Sequence, residues 1–151
     1  MHHLLLIIHL IAATIWVGGH LVLAIGYMPR ALKYKDFSYI GNFEKKYEPI
    51  GMPSLLLLVI TGISMAYDYD AGLKSWFSFS NSIETVVSLK LSCLLLSVCF
   101  AISAQTRVLP KLRKGNLSKL PEMAVHITSV TLLGVTMVIL GSFVRYGGIS
   151  F

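Results

Sequence analysis

Five histidines stand in this chain, and four of them, His2, His3, His9 and His20, fall within its first twenty residues; the fifth is His126. Imidazole serves as proton carrier, general base, or ligand to haem iron or copper. His9, His20 and His126 all lie inside long apolar runs. A titratable ring is expensive in such a setting and marks a functional position. Lys90 is the other ionisable oddity, a cation within an apolar run that must meet an anion, snorkel outward or be neutral.

Spacing narrows the chemistry. At about 100° per residue, the eleven positions from His9 to His20 bring both rings within about 20° of one helix face, about 16 Å apart along the axis. His126 and Met137 repeat the same spacing. On antiparallel helices His20 would come level with His126, and His9 with Met137, giving two rungs. A b-type haem takes two axial ligands from facing helices, and His/His and His/Met both occur. The pattern therefore predicts haem b, one or two copies, with His20 and His126 as the first ligand pair and His9 with Met137 as the second. Ala12, Ala13 and Gly19 would leave room for a macrocycle, and Trp16 would pack against it. Lys90, about as deep as His9, would answer a haem propionate or a substrate carboxylate. Other readings stay open: each His or Met as a packing residue, and Lys90 as a snorkelling side chain. A copper reading also stands, since Met1-His2-His3 with a free amine offers the square-planar nitrogen set that Cu(II) prefers.

These residues need helices to hold them. The chain has 151 residues, 55% of them apolar and only 13% charged, and its mean hydropathy is +0.72. A soluble domain carries about twice that share of charge. The charges cluster between four apolar stretches, at about 4–28, 50–67, 85–108 and 122–144. Each is long enough to cross about 30 Å of hydrocarbon as a helix. The expected fold is an all-α integral membrane protein, a single four-helix bundle in the lipid bilayer. The +6 net charge lies in membrane-flanking loops, which excludes a nucleic-acid binder. The first stretch has no Lys or Arg ahead of it and is too long for a signal core, so it reads as a retained helix.

Loop charge sets orientation. Arg30, Lys33, Lys35, Lys45 and Lys46 flank or fill the loop 29–49, and Arg107, Lys111, Arg113, Lys114 and Lys119 the loop 109–121. The other side has only Lys74 and Arg145. Both termini and the loop 68–84 are therefore expected outside, in the cytoplasmic (inner) membrane of a bacterium. Tyr69, Trp76, Phe77 and Phe79 in the outer loop suit an interfacial anchor. Cys93 and Cys99, six apart, read as apolar packing. Gly134 and Gly141 read as close helix contact, and a homodimer through the second helix or this glycine seam is a further expectation.

The run His9-Leu-Ile-Ala-Ala-Thr-Ile-Trp16-Val-Gly18-Gly19 resembles the first-helix signature of the CopD (copper resistance) superfamily and of the related HemJ membrane protoporphyrinogen oxidases. Met28-Pro29-Arg30-Ala-Leu-Lys-Tyr34 and the stretch from Phe43 and Glu44 through Gly51 and Met52 to Thr61 and Gly62 resemble HemJ. Leu89-Lys90-Leu91, with the basic exit beyond it, resembles both. The resemblance implies that His9 serves haem binding and that Lys90 serves the oxidase activity. Two features depart from it: the segment from Trp16 to Pro29 is longer, and His20 and His126 lie outside the family pattern. They favour a different haem protein on the same scaffold. Three functions follow. The first is a small cytochrome b in transmembrane electron transfer, linked to a quinone or a redox partner protein. The second is a HemJ-like haem-dependent oxidoreductase, and the third a CopD-like copper-binding or copper-transport protein.

Overall fold

Apolar runs of this length satisfy their backbone in lipid only as helices, and the computed structural model, which describes residues 2–68, 76–77, 79–144 and 146–148, holds four of them. They are α1 (His3–Tyr34), α2 (Ser38–Asp68), α3 (Ser82–Arg113) and α4 (Leu117–Val144). The described residues contain no strand. Only 17–28% of each helix's apolar window is buried, and large side chains such as Ile25, Leu56, Leu95, Leu132 and Ile139 face outward. That surface belongs in lipid, and the chain is a multi-pass membrane protein. Serine and threonine hydroxyls along the helices bond back to carbonyls one turn earlier, as Ser54 does to Ile50 and Ser97 to Cys93. No polar group in these turns then needs water.

The helices outrun their apolar cores. The stretches 29–49 and 109–121, expected as loops, are helical apart from short breaks at 35–37 and 114–116. The shift from apolar to charged residues marks where a helix leaves the lipid, which is not where its backbone hydrogen bonding stops. Proline lacks a donor and clashes with the carbonyl four residues back, yet α1 passes Pro29 and α3 passes Pro110. Each does so through a wide π-turn just upstream, Leu23–Tyr27 and Ala104–Val108. The Met28 N–H reaches the Leu23 carbonyl, and the Leu109 N–H the Ala104 carbonyl. Both hairpins thus share one device, although the sequence carries no evident repeat.

Each break has its own chemistry. Lys35 adopts the left-handed conformation (φ 49°) that ends α1, and the Asp36 N–H bonds back to the Ala31 carbonyl at 3.1 Å. The Asp36 carboxylate then takes the backbone N–H and the hydroxyl of Ser38, both at 2.8 Å, and so opens α2. Those two donors hold the Asp36 carboxyl below the usual carboxylate range. Gly115 (φ 85°) turns α3 into α4, and Asn81 caps α3 by accepting the Glu84 N–H at 2.8 Å.

α1 packs on α2 and α3 on α4 as antiparallel hairpins, which meet along α1 and α4. The start of α1 and the end of α4 lie at one end of the bundle, and the basic turns lie at the other. Ala31, Ile40, Val108, Leu112, Leu120 and Met123 form a core near the basic end. At mid-height Trp16 and Val17 pack on Val130. Gly134 admits them, since a Cβ there would stand 3.4 Å from both side chains. At the terminal end Phe77 and Phe79 are exposed, as an aromatic anchor would be. Met1, Tyr69, Lys74, Arg145 and the His2 side chain lie outside the described residues.

Candidate functional site

The three intramembrane histidines share one hydrogen-bonding pattern. His20 Nδ1 lies 2.8 Å from the Trp16 carbonyl one turn back in α1. A carbonyl oxygen only accepts, so Nδ1 carries the proton. His126 Nδ1 lies 2.8 Å from the Glu122 carbonyl in α4, with the same consequence. His9 reaches across to α2, where Nδ1 lies 2.8 Å from Thr61 Oγ1. The Thr61 hydroxyl gives its own proton to the Leu57 carbonyl at 2.6 Å, so its oxygen accepts and His9 donates. With Nδ1 tethered as the donor, the neutral form of each ring carries its lone pair on Nε2, the arrangement found in metal-bound histidines.

The lone pairs differ in freedom. His126 Nε2 lies 3.1 Å from the Ser103 hydroxyl of α3, and its ring stands edge-on to Phe100 at 5.7 Å. Among the described residues, Nε2 of His9 and of His20 meets no protein donor. Neither atom is sealed inside, because no buried side-chain nitrogen or oxygen lacks a partner. Both atoms keep some exposed surface, and the Leu58 carbonyl is a further hydrogen-bond partner of the His9 ring.

His9 belongs to a layer to which all four helices contribute. Gly62, beside Thr61, gives its ring room: a Cβ there would lie 3.4 Å from His9 Cε1. Lys90 of α3 is close enough to interact electrostatically with His9. Its Nζ lies 3.5 Å from where a Gly141 Cβ would stand on α4. Gly141 thus houses an ammonium group, whereas Gly134 serves helix contact. Among the described residues, Lys90 has no carboxylate within ion-pair distance.

The other expected pairs are not brought together. The Thr131 hydroxyl, bonded to the Ile127 carbonyl at 2.7 Å, also comes within 3.3 Å of the His20 carbonyl. This register sets His126 five positions, or about 7.5 Å, from the level of His20. The rings also turn to different helices, His20 toward Tyr47 of α2 and His126 toward Phe100 of α3. Met137 packs with Trp16, Val17 and Val130. By the same register His9 comes level with residue 142 rather than Met137. Ala12 and Trp16 are 2% and 6% exposed, closed into helix contacts. His3 is exposed. No group of three or more His, Cys, Asp or Glu side chains among the described residues is placed to hold a metal ion. Cys93 and Cys99 are free thiols.

Three residues escaped the sequence reading of the site. Thr61 orients His9, Ser103 occupies His126, and Tyr47 shares its hydroxyl proton between the carbonyls of Ile15 (3.1 Å) and Trp16 (2.9 Å). Thr61 and Ser103 are each one of several hydroxyls in their apolar runs, so residue type alone does not single them out. Against protein-family models, curated proteins and solved structures, the chain finds no match.

Proposed function

We propose that this chain is a b-type haem protein of the bacterial cytoplasmic membrane, its basic turns in the cytoplasm, acting in quinone-linked electron transfer. One observation carries the reading. The intramembrane His9 ring commits its Nδ1 proton to a hydroxyl that is itself committed to Leu57, and Nε2 is left open. This donor chemistry suits an axial iron ligand. Lys90, in the same layer, supplies the cation that a propionate needs. When bound, the haem supplies one-electron redox chemistry. The chain's residues do the rest. Thr61 fixes the His9 tautomer and orientation, Gly62 gives the ring room, and Gly141 lets Lys90 reach inward. The apolar surroundings strengthen the attraction between Lys90 and a carboxylate.

His126 is already engaged by Ser103, which supports a single haem at His9. The purified chain is expected to show a b-type α-band on reduction, with about one haem per chain. His9→Ala removes the band and His126→Ala keeps it. A colourless chain, or haem that survives His9→Ala, overturns the proposal.

Lys90 favours a second reading, in line with the HemJ-like residues: oxidation of a porphyrinogen to a porphyrin, with the electrons and protons removed passing to a quinone. A carboxylate-bearing tetrapyrrole would be held by this cation beside His9. Fluorescent porphyrin formed from porphyrinogen by the wild-type chain, and not by Lys90→Met with its haem intact, selects that reading.

A further inference from the structure

His20 has no part in the His9 layer, yet its surroundings are built. The Trp16 carbonyl holds its Nδ1–H at 2.8 Å and also takes the Tyr47 hydroxyl at 2.9 Å. The Thr131 hydroxyl, which gives its proton mainly to the Ile127 carbonyl at 2.7 Å, also lies 3.3 Å from the His20 carbonyl. Tyr47 of α2 therefore holds this turn of α1, and Thr131 of α4 flanks it on the other side. The imidazole lies 4.7 Å from the Trp16 ring and 6.0 Å, edge-on, from the Tyr47 ring. Its Nε2 has no protein donor among the described residues and is not sealed off.

Depth makes that lone pair informative. His20 lies four residues, about 6 Å, from Trp16, which stands midway along the apolar run 4–28. An acceptor at this level has no bulk water to bond, and leaving it unpaired is costly. The missing donor must dissolve in hydrocarbon and carry a hydroxyl. The two neighbouring rings favour an aromatic headgroup over an aliphatic alcohol.

We infer that His20 Nε2 accepts a hydrogen bond from the hydroxyl of a lipid-soluble hydroquinone bound beside Trp16 and Tyr47. The inference takes its redox meaning from the quinone-linked reading above, but the binding itself stands on His20 and not on haem. The tautomer sets a preference. With Nδ1 as the donor, Nε2 only accepts, and only the reduced ring offers an O–H. An oxidised quinone would set a carbonyl lone pair against the imidazole lone pair.

Trp16 can report the binding. The chain has two tryptophans, so the Trp76→Phe variant of the 151-residue chain in lipid nanodiscs leaves Trp16 as its sole tryptophan. Its emission is titrated with decylubiquinol under argon, with decylubiquinone and with dodecanol, and dissociation constants rather than amplitudes are compared. Saturable binding is expected, with the quinol about five- to tenfold tighter than the quinone, the worth of one hydrogen bond. Added His20→Ala erases that preference without changing the melting temperature or the haem content. Equal affinity for both redox forms, an undiminished preference in His20→Ala, or dodecanol binding as tightly as quinol overturns the inference. So does loss of haem in His20→Ala, which would make His20 an iron ligand. Quinol binding by a chain without haem upholds the inference while the haem reading fails. Haem on His9 with no quinol binding does the reverse.

Discussion

The ring of Tyr47 fills the space where a side chain on Gly19 would have to stand. A Cβ on Gly51, one turn along α2, would likewise lie 2.6 Å from its Cε1. One glycine from each helix makes a slot, and at its end the phenol hydroxyl meets the carbonyls of Ile15 and Trp16. Phe43 stacks on the outer face of the ring at 5.3 Å. Membrane helices gain no hydrophobic drive from packing together, so close approach through small residues and interhelical hydrogen bonds must hold α1 to α2. The carbonyl that anchors Tyr47 also orients His20, so the slot serves packing and the polar interior together.

Gly19→Ala should therefore expel the ring and destabilise the chain by about 1–3 kcal/mol, the usual range for overpacking. Tyr47→Phe keeps the ring and loses only the hydroxyl bonds, for about 0.5–1.5 kcal/mol. Combining Gly19→Ala with Tyr47→Ala should cost less than the two single changes added, because both act on one contact. Unfolding in mixed detergent micelles measures wild type, Gly19→Ala, Tyr47→Phe, Tyr47→Ala and the double variant. Wild-type stability in Gly19→Ala would show that the slot does not form.

Thr61 should tune the site without being a ligand. Removing the acceptor of a metal-bound histidine's second nitrogen typically weakens metal affinity about 10- to 100-fold. Thr61→Ala is expected to weaken haem binding in that range, and Thr61→Ser to restore it, because serine can also pass its proton to a carbonyl one turn back. Haem titration of the two variants gives the comparison. Equal affinities in Thr61→Ala and wild type would separate His9 orientation from haem binding.

The four spans were legible because charge is excluded from hydrocarbon, and the missing Lys, Arg, Asp and Glu outline each stretch. Helix ends were not. Residues 29–34 and 109–113 stay helical beyond the lipid, and the π-turns before Pro29 and Pro110 remove the conflict that makes proline read as a stop. Periodicity sets His9 and His20 on one face of α1, and both precede its π-turn. It carries no information on which helix that face meets or at what height. The contacts of Thr131 with His20 and of Gly134 with Trp16 fix the register of α1 on α4, and residue spacing within either helix is blind to it. Thr61 was visible as a hydroxyl in an apolar run, but its pairing with His9 depends on the α1–α2 register.

Asp36 gives the α1–α2 turn a pH dependence with a definite sign. Its carboxyl is held below the usual range by the N–H and hydroxyl of Ser38. The charged form is thus favoured in the folded chain. The stabilisation is complete above the ordinary carboxylate range and is lost as pH falls through the lowered value. Thermal melts from neutral to acid pH should show Asp36→Asn losing less stability on acidification than wild type. Parallel pH profiles for the two chains would place Ser38's donors elsewhere in solution.

Lys90 separates a charge that serves a ligand from one that merely finds the interface. A lysine at the centre of a membrane helix costs about 2.5–3.5 kcal/mol on insertion, and less toward the ends. If Lys90 exists for a ligand, Lys90→Met should raise the melting temperature of the haem-free chain while weakening haem binding. The lost interaction is a charge-assisted hydrogen bond, so the expected weakening is about 10- to 100-fold. Haem dimethyl ester isolates the cause, because it keeps the macrocycle and removes both carboxylate charges. Wild type should prefer haem to its ester, Lys90→Met should show no preference, and the difference between the two chains is the coupling between Nζ and propionate. Gly141→Leu supplies an independent route. A side chain at the position now 3.5 Å from Nζ pushes the ammonium outward and should abolish the same preference with Lys90 still present. Identical discrimination between haem and ester in all three chains would leave Lys90 as a snorkelling residue and remove the propionate from the site.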